Sequence, residues 1–325
     1  MVNSPEYHPQ ILIRGAGVAG LVTAVTLARR GAWVTLVESG AKIGSGASWL
    51  AGGMLAPWCE AESAPPKVTD RSLGSLSWWS ENVPDVASNG SLVLAPARDT
   101  GEISRFARRT SHFREVTAPE IAALEPDLAD RFARGLFFPD EGHLDPRQAL
   151  PALAEQLIML GGRVLTDHEA AAFTDAFDWE VDCTGLAARR EIPDLRGVRG
   201  EMILLRCPDV TLSRPVRLLH PRIPIYIVPR ANNIFMVGAT MIESENGGPM
   251  TLRSMSELLN AAWVLHPAFA EAEILEMGAG LRPSYVDNMP AVTRNGRKIQ
   301  VNGMYRHGYL LSPWLAGEVA NMVFG

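Results

Sequence analysis

Apolar residues switch between two periods along this chain, and the switches mark its elements. Gln10-Ile-Leu-Ile-Arg14 is a short apolar run of the kind that fills a buried strand. It leads into Gly15-Ala-Gly-Val-Ala-Gly20, and across residues 18–28 apolar positions recur at helical spacing. Arg29-Arg-Gly31 ends that pattern with two cations and a glycine. Ala32-Trp-Val-Thr-Leu-Val37 returns to a strand pattern and closes on Glu38. Strand, helix and strand within about 30 residues make one βαβ unit.

Beyond it, residues 71–82 and 119–124 read as helical patches among turn signals, and residues 145–160 as an amphipathic helix entered through Pro146. Strands are expected at 163–166 and at Trp179-Glu-Val-Asp-Cys-Thr-Gly185. The second half is rich in strand patterns, at 201–206, 225–229 and 234–238, and a helix at 254–266 follows them. Ile299-Gln-Val301, a turn at Gly308 and a closing helix from about Pro313 complete the order. No repeat or low-complexity linker separates the halves. The pattern therefore predicts an α/β fold of two domains that the chain crosses between several times.

A length of 325 residues carries a prior of about two domains at roughly 150 residues each. With 47% hydrophobic and 20% charged residues, the chain is neither disordered nor fibrous. A net charge of -6 leaves no basic footprint for nucleic acid. Three cysteines without ligand spacing, Cys59, Cys183 and Cys207, point to a reducing compartment and to no metal site. The N-terminal residues lack a signal-peptide pattern, and the longest uncharged stretch, residues 43–59, is glycine-broken and too short for a membrane span. A cytoplasmic protein without membrane or nucleic-acid partners is the expectation.

The glycines of the first turn each have a physical task. Gly15 permits the tight turn from strand to helix, Gly17 lets backbone approach a pyrophosphate, and Gly20 allows the helix to pack closely on the strand. The helix N-terminus offers free N–H groups to phosphate, and Glu38 stands where a ribose hydroxyl would be held. A glycine turn without a nucleotide is the simpler alternative, and the fingerprint alone admits NAD or FAD. Arg14 is out of place for a buried parallel strand unless its head reaches solvent. Residues 40–54 are dense in Gly, Ser and Ala, which either lets backbone lie against a flat ligand or makes a flexible loop; Ser48 adds a hydroxyl.

Later motifs join this fingerprint in order: Ala51-Gly-Gly-Met-Leu55, Gly142-His-Leu-Asp-Pro146, Asp182-Cys-Thr-Gly185, Gly197-Val-Arg-Gly-Glu201, Tyr226-Ile-Val-Pro-Arg230, Val237-Gly-Ala-Thr-Met241, Gly280-Leu-Arg-Pro283 and Tyr305-Arg-His-Gly-Tyr-Leu-Leu-Ser-Pro313. In this set the chain resembles the FAD-dependent D-amino-acid oxidase superfamily, most closely its glycine oxidase branch. The resemblance implies a Rossmann-type FAD-binding domain (residues 1–75, 140–200 and 278–325). It is interleaved with an α+β substrate domain on a mostly antiparallel sheet (residues 76–139 and 201–277). It also implies cofactor contacts from Gly15, Gly17, Val18, Ala19, Gly20, Glu38, Ser39, Ala47, Ser48, Gly52, Gly53, Met54, Ala170, Thr184 and Gly185. Met304, Tyr305, Arg306, His307, Gly308, Tyr309, Leu310 and Leu311 would cover the flavin ring.

Two departures from the family pattern stand out. The segment between Phe173 and Trp179 is short, so the hairpin that usually precedes the Thr-Gly motif is reduced. No cysteine follows Cys207, so the FAD should be noncovalent.

By the same resemblance, Arg282 binds the substrate carboxylate, Tyr226 donates a second hydrogen bond, and Arg306 touches substrate and cofactor. Met54 and Met241 limit the pocket, with Tyr309 and Trp314 narrowing it further. A surface arginine, a core tyrosine and core methionines are the structural alternatives for these positions. The implied reaction is oxidative deamination of glycine or a similarly small amino acid by hydride transfer to FAD. Imine or glyoxylate, ammonia and H2O2 are the products, and no protein general base is assigned. The implied partners are a small amino acid and O2, with hand-off of the imine to a thiazole synthase of thiamine biosynthesis and assembly as a homo-oligomer. A sarcosine, proline or D-amino-acid oxidase or dehydrogenase, and a catalytically silent flavin-binding subunit, remain open. An NAD dehydrogenase would leave the later motifs without a use.

Overall fold

The computed structural model describes residues 8–173 and 175–325. The N-terminal residues read above for a targeting pattern lie almost wholly outside the described part. Two large sheets organise the chain. The first has six strands in the order Ala291–Asn295, Lys298–Asn302, Trp179–Asp182, Gln10–Arg14, Trp33–Glu38 and Arg163–Thr166. All neighbours are parallel except the 291–302 hairpin at one edge. The second has eight strands in the order Glu273–Ser284, Arg196–Arg206, Ile234–Gly238, Ile225–Arg230, Val216–Leu218, Ser91–Leu94, Arg134–Phe138 and Arg114–Thr117. It is antiparallel throughout except where Val216–Leu218 runs alongside Ser91–Leu94. A two-stranded bridge, Met54–Leu55 with Gly142–His143, lies apart from both.

The expected βαβ unit is present as strand Gln10–Arg14, helix Val18–Arg29 and strand Trp33–Glu38. Ile11, Leu12 and Ile13 are buried between exposed Gln10 and Arg14, which is how a central parallel strand is filled. Arg14 escapes burial as expected, its head reaching Glu180 at 2.9 Å. The helix stops where the cations and glycine predict. Gly31, at φ +90, donates its N–H to Ala28 O, and Ala32 donates to Leu27 O, which together form a Schellman cap.

Three elements differ from the pattern reading. The expected helix over 71–82 is two helices, Pro66–Ser72 and Ser75–Asn82, divided at Leu73-Gly74. The closing helix begins at Gly308, and Pro313 lies inside it. A proline there leaves the carbonyl of Tyr309 without its helical donor. Buried Trp79 supplies one instead, its Nε1–H donating to that oxygen at 2.7 Å, with Ser75 Oγ at 3.3 Å. The short helix Asp167–Ala172, which the pattern did not predict, precedes the segment between Phe173 and Trp179, whose described residues 175–178 form no strand.

The expected domain joints at 200/201 and 277/278 fall inside two long paired strands, Arg196–Arg206 and Glu273–Ser284. Among the described residues no helix is long and apolar enough to cross a membrane, and no group of three His, Cys, Asp or Glu side chains is placed to hold a metal. All three cysteines are free and buried.

The tightest constraint sits at Gly20, where an added Cβ would overlap the carbonyl oxygen of Gly15. Gly20→Ala should therefore destabilise the fold by on the order of 1–3 kcal/mol or more through overpacking. Gly46→Ala, whose Cβ would meet nothing within 4 Å, should not. Thermal unfolding of the two variants checks this.

Candidate functional site

The carboxyl ends of strands Gln10–Arg14 and Trp179–Asp182 lie side by side and give way to Gly15 and Cys183-Thr184. This is the position where open α/β sheets bind ligands. One cavity of about 920 Å³ opens there and continues to the antiparallel sheet. Its volume lies toward the upper end for small-molecule and cofactor sites.

At the parallel-sheet end the walls are mostly backbone. A Cβ on Gly15 would come within 2.7 Å of Cys183 O, so the turn accepts only glycine. Gly17, the N-cap of the first helix, has no capping side chain, and Ser48 takes over by accepting the Val18 N–H at 3.0 Å. Ser48 is held in turn by the Tyr309 hydroxyl, which donates to its carbonyl at 3.0 Å. The Glu38 carboxylate accepts the N–H groups of Ala16 at 2.8 Å and Gly40 at 3.1 Å, tying the glycine turn to the Gly/Ser/Ala segment. A glycine-walled groove with a helix N-terminus and an acid at the second strand's end fits a dinucleotide.

At the other end Arg282 reaches the cavity from strand Glu273–Ser284. Its guanidinium lies over Gly200 on the paired strand, where any Cβ would collide with it. Nη1 donates to Thr240 O at 3.0 Å, and among the described residues neither Nε nor Nη2 has a hydrogen-bond partner. Burial pulls its pKa down, partly offset by Tyr226. Tyr226 is packed against Gly52, at 2.9 Å from a Cβ placed there, and its hydroxyl has no protein partner among the described residues. Met54 and Met241 also line the cavity. Met241 stands half exposed at its rim, where its Sδ accepts from Tyr305 Oη at 3.2 Å and Arg306 Nη1 at 3.3 Å.

Of the expected contact residues, Gly15, Gly17, Val18, Ala19, Glu38, Ser39, Ala47, Ser48, Gly52, Gly53, Met54, Ala170, Thr184, Gly185, Met304, Tyr305, Arg306, Gly308, Tyr309 and Leu310 all border this one cavity. Four expected residues do not. Gly20 faces the strand behind it, as its packing task requires. Leu311 is buried on the core side of the closing helix. Trp314 carries the Arg71 guanidinium on its ring at 4.1 Å. His307 is buried behind the turn, its Nδ1 at 3.5 Å from Glu60.

Glu60 and Arg217 border the cavity, and the sequence reading passed over both. Arg217 donates to Glu60 Oε1 at 2.6 Å, and Arg306 approaches the same carboxylate with Nη2 at 3.2 Å and Nε at 3.2 Å. Burial would raise the Glu60 carboxyl, but Arg306, Arg217 and His307 outweigh it and hold it well below the usual range. Glu141 lies behind them, accepting the Cys59 N–H at 2.7 Å; burial pushes its carboxyl up and Arg217 opposes the shift. There were faint signals in the sequence: Glu60 is the first charge after the long uncharged stretch, and Arg217 is a lone cation in a buried strand.

Burial also drives His143 and His307 down to about 4. For His143 the Pro229 carbonyl offsets part of the shift, and for His307 Glu60 does. An unfolded histidine titrates near 6.5. Both groups therefore bind protons more tightly in the unfolded chain, and the stability from keeping them neutral is lost as pH falls from about 6.5 toward 4. Lowering the pH from 7 to 5 should cost on the order of 2 kcal/mol per histidine. Melting temperatures of the protein and of a His143→Asn, His307→Asn variant across that range check it; the variant should show the shallower slope.

Comparison with known proteins adds a sequence family and a set of relatives. The family model described as FAD dependent oxidoreductase matches residues 10–322. A putative thiamine biosynthesis oxidoreductase ThiO of Rhizobium etli is 57% identical over 312 residues, covering 96% of this chain and 95% of the relative. The glycine oxidase of Bacillus licheniformis is 27% identical over 97% of this chain and 92% of its own. In fold, the crystal structure of glycine oxidase from Geobacillus kaustophilus matches with a TM-score of 0.80 and 24% identity, covering 97% of this chain and 95% of that one.

Proposed function

Since the chain belongs to the FAD dependent oxidoreductase family, we propose that it oxidises glycine, or a similarly small amino acid, with FAD held noncovalently in the cavity. The observation that carries this reading is Arg282, a guanidinium with two unengaged donor positions in the same cavity that begins at the glycine turn and Glu38. The 57% identity to a thiamine biosynthesis oxidoreductase supports the assignment to that pathway.

In this reading Gly15, Gly17, Val18 and Ala19 at the first helix N-terminus would hold the pyrophosphate, with Glu38 at the ribose. Ala170, Thr184 and Gly185 would border the adenosine side, and Met304, Tyr305, Arg306, Gly308, Tyr309 and Leu310 the ring. The chemistry supplied by a bound FAD would be acceptance of the electron pair from the substrate Cα, with O2 as the final acceptor and H2O2 as its product. Arg282 receives the amino acid's carboxylate through Nε and Nη2, as a planar fork does best in a dry site. The Tyr226 hydroxyl adds a hydrogen bond to that carboxylate. The amine, as its free base, is left to supply the developing imine. Arg306 places fixed positive charge where negative charge develops, and no side chain is needed as a base. Met54 and Met241 restrict the space beside Cα to small substituents. The imine is hydrolysed to glyoxylate and ammonia, or handed to a thiazole synthase.

The division into a cofactor side (residues 1–75, 140–200 and 278–325) and a substrate side (76–139 and 201–277) belongs to the same proposal, as do the cytoplasmic location and a homo-oligomeric assembly. The two strands that cross the joints carry Gly200 and Arg282 to the meeting of the two sides.

Purified protein should be yellow and should release peroxide with glycine more efficiently than with sarcosine, D-alanine or D-proline. A colourless protein rules the reading out, and preference for a bulkier amine moves it to another branch of the family. Arg282→Ala should keep its flavin while KM for glycine rises about a hundredfold, the equivalent of a lost charge-assisted pair. An unchanged KM would remove Arg282 from the carboxylate site.

A further inference from the structure

We propose that Glu60 is a positioning residue of this site, one that grips Arg306 by its Nε–Nη2 edge so that only Nη1 is presented to the cavity. The inference rests on the oxidase reading above. Arg306 stands half-buried in the turn before the closing helix, just after Tyr305, whose φ of +48 is unusual for a side chain of that size. The Tyr305 N–H donates to Pro283 O at 2.7 Å and the His307 N–H to Met304 O at 2.9 Å, which holds the turn, but the long Arg306 side chain has several rotamers to lose. Glu60 selects among them. Its Oε1 accepts a hydrogen bond from Nη2 at 3.2 Å. Its Oε2 stands 3.2 Å from Nε in ion-pair contact without hydrogen-bond geometry, so the carboxylate holds that edge of the guanidinium toward itself.

Glu60 is itself anchored. It sits in the short helix Pro57–Glu60, which the Cys59 N–H ties to buried Glu141, and Arg217 also donates to Oε1 at 2.6 Å. The carboxylate is buried and has little room to move. The remaining Arg306 donor, Nη1, meets only the thioether of Met241 at 3.3 Å. Sulfur is a weak acceptor, so an oxygen of substrate or cofactor displaces it readily. The arrangement uses the Nε–Nη2 edge of Arg306 for placement and leaves Nη1 for chemistry.

A purely structural role is the rival explanation, in which Glu60 only neutralises buried Arg217. The holoenzyme and three variants, Glu60→Gln, Arg217→Met and the double variant, separate the two. Glu60→Gln should keep its flavin yet lower kcat for glycine by about a hundredfold, the scale of a misplaced catalytic group. The dissociation constant of acetate, an unreactive carboxylate read from the flavin spectrum, should stay near that of the unaltered protein because Arg282 is untouched. Glu60→Gln should also melt lower, since it leaves Arg217 buried and unpaired. The double variant removes that unpaired charge and should regain melting temperature while kcat stays low. It also keeps the test decisive if Glu60→Gln alone does not fold. Recovery of kcat together with melting temperature, or an unimpaired kcat in Glu60→Gln, overturns the proposal. A colourless unaltered protein instead overturns the oxidase reading, before any variant is measured.

Discussion

Backbone meeting backbone at the first turn is the constraint on which the rest of the molecule depends. Gly20 lies against the Gly15 carbonyl, and Gly15 lies against the carbonyl of Cys183. These contacts bring the first helix, the first strand and the strand Trp179–Asp182 to one point, with no side chain between them. The helix N-terminus, the Thr184-Gly185 turn and the Gly/Ser/Ala segment then border one groove. Ser48 is essential to that geometry, because a glycine N-cap has no oxygen of its own to offer the Val18 N–H.

The second organising feature is a concentration of positive charge inside the other end of the cavity. Arg217, Arg282 and Arg306 all border it, and Glu60 pairs with Arg306 and Arg217, which, against the effect of burial, hold its carboxyl below its usual range. Such a cluster is costly to bury unless each member is paired or used. Arg217 is paired, Arg306 is paired on one edge, and Arg282 is left with two donors unengaged. That imbalance is what supports the proposal that an anionic group of the substrate binds at Arg282.

Much of this was legible in the chain. The βαβ unit, its Schellman stop and the place of Glu38 at the end of the second strand follow from local pattern, because each is decided within a few residues by backbone sterics and period. Arg282, Arg306, Tyr226, Met54 and Met241 were found through ordered motifs, and all five border the one cavity. Elements whose limits depend on distant partners were read less well. Pro313 looked like a helix start, yet the helix runs through it because Trp79 rescues the orphaned carbonyl from far away in sequence. His307 and Leu311 follow the same motif as their neighbours but point away from the cavity, since a helical turn sends adjacent side chains to different faces.

By itself, then, the sequence determined the fold class, the dinucleotide turn and the residues able to bind a carboxylate, because those depend on glycine sterics, hydrophobic period and side-chain chemistry. Only the tertiary structure decided which of those residues meet, and which edge of each is free. Glu60 and Arg217 stand 157 positions apart, and Glu60 and Arg306 stand 246 apart. No local pattern records a pairing at that distance. It exists because the two sheets close over a shared cavity, and burial there makes each charge depend on its neighbour.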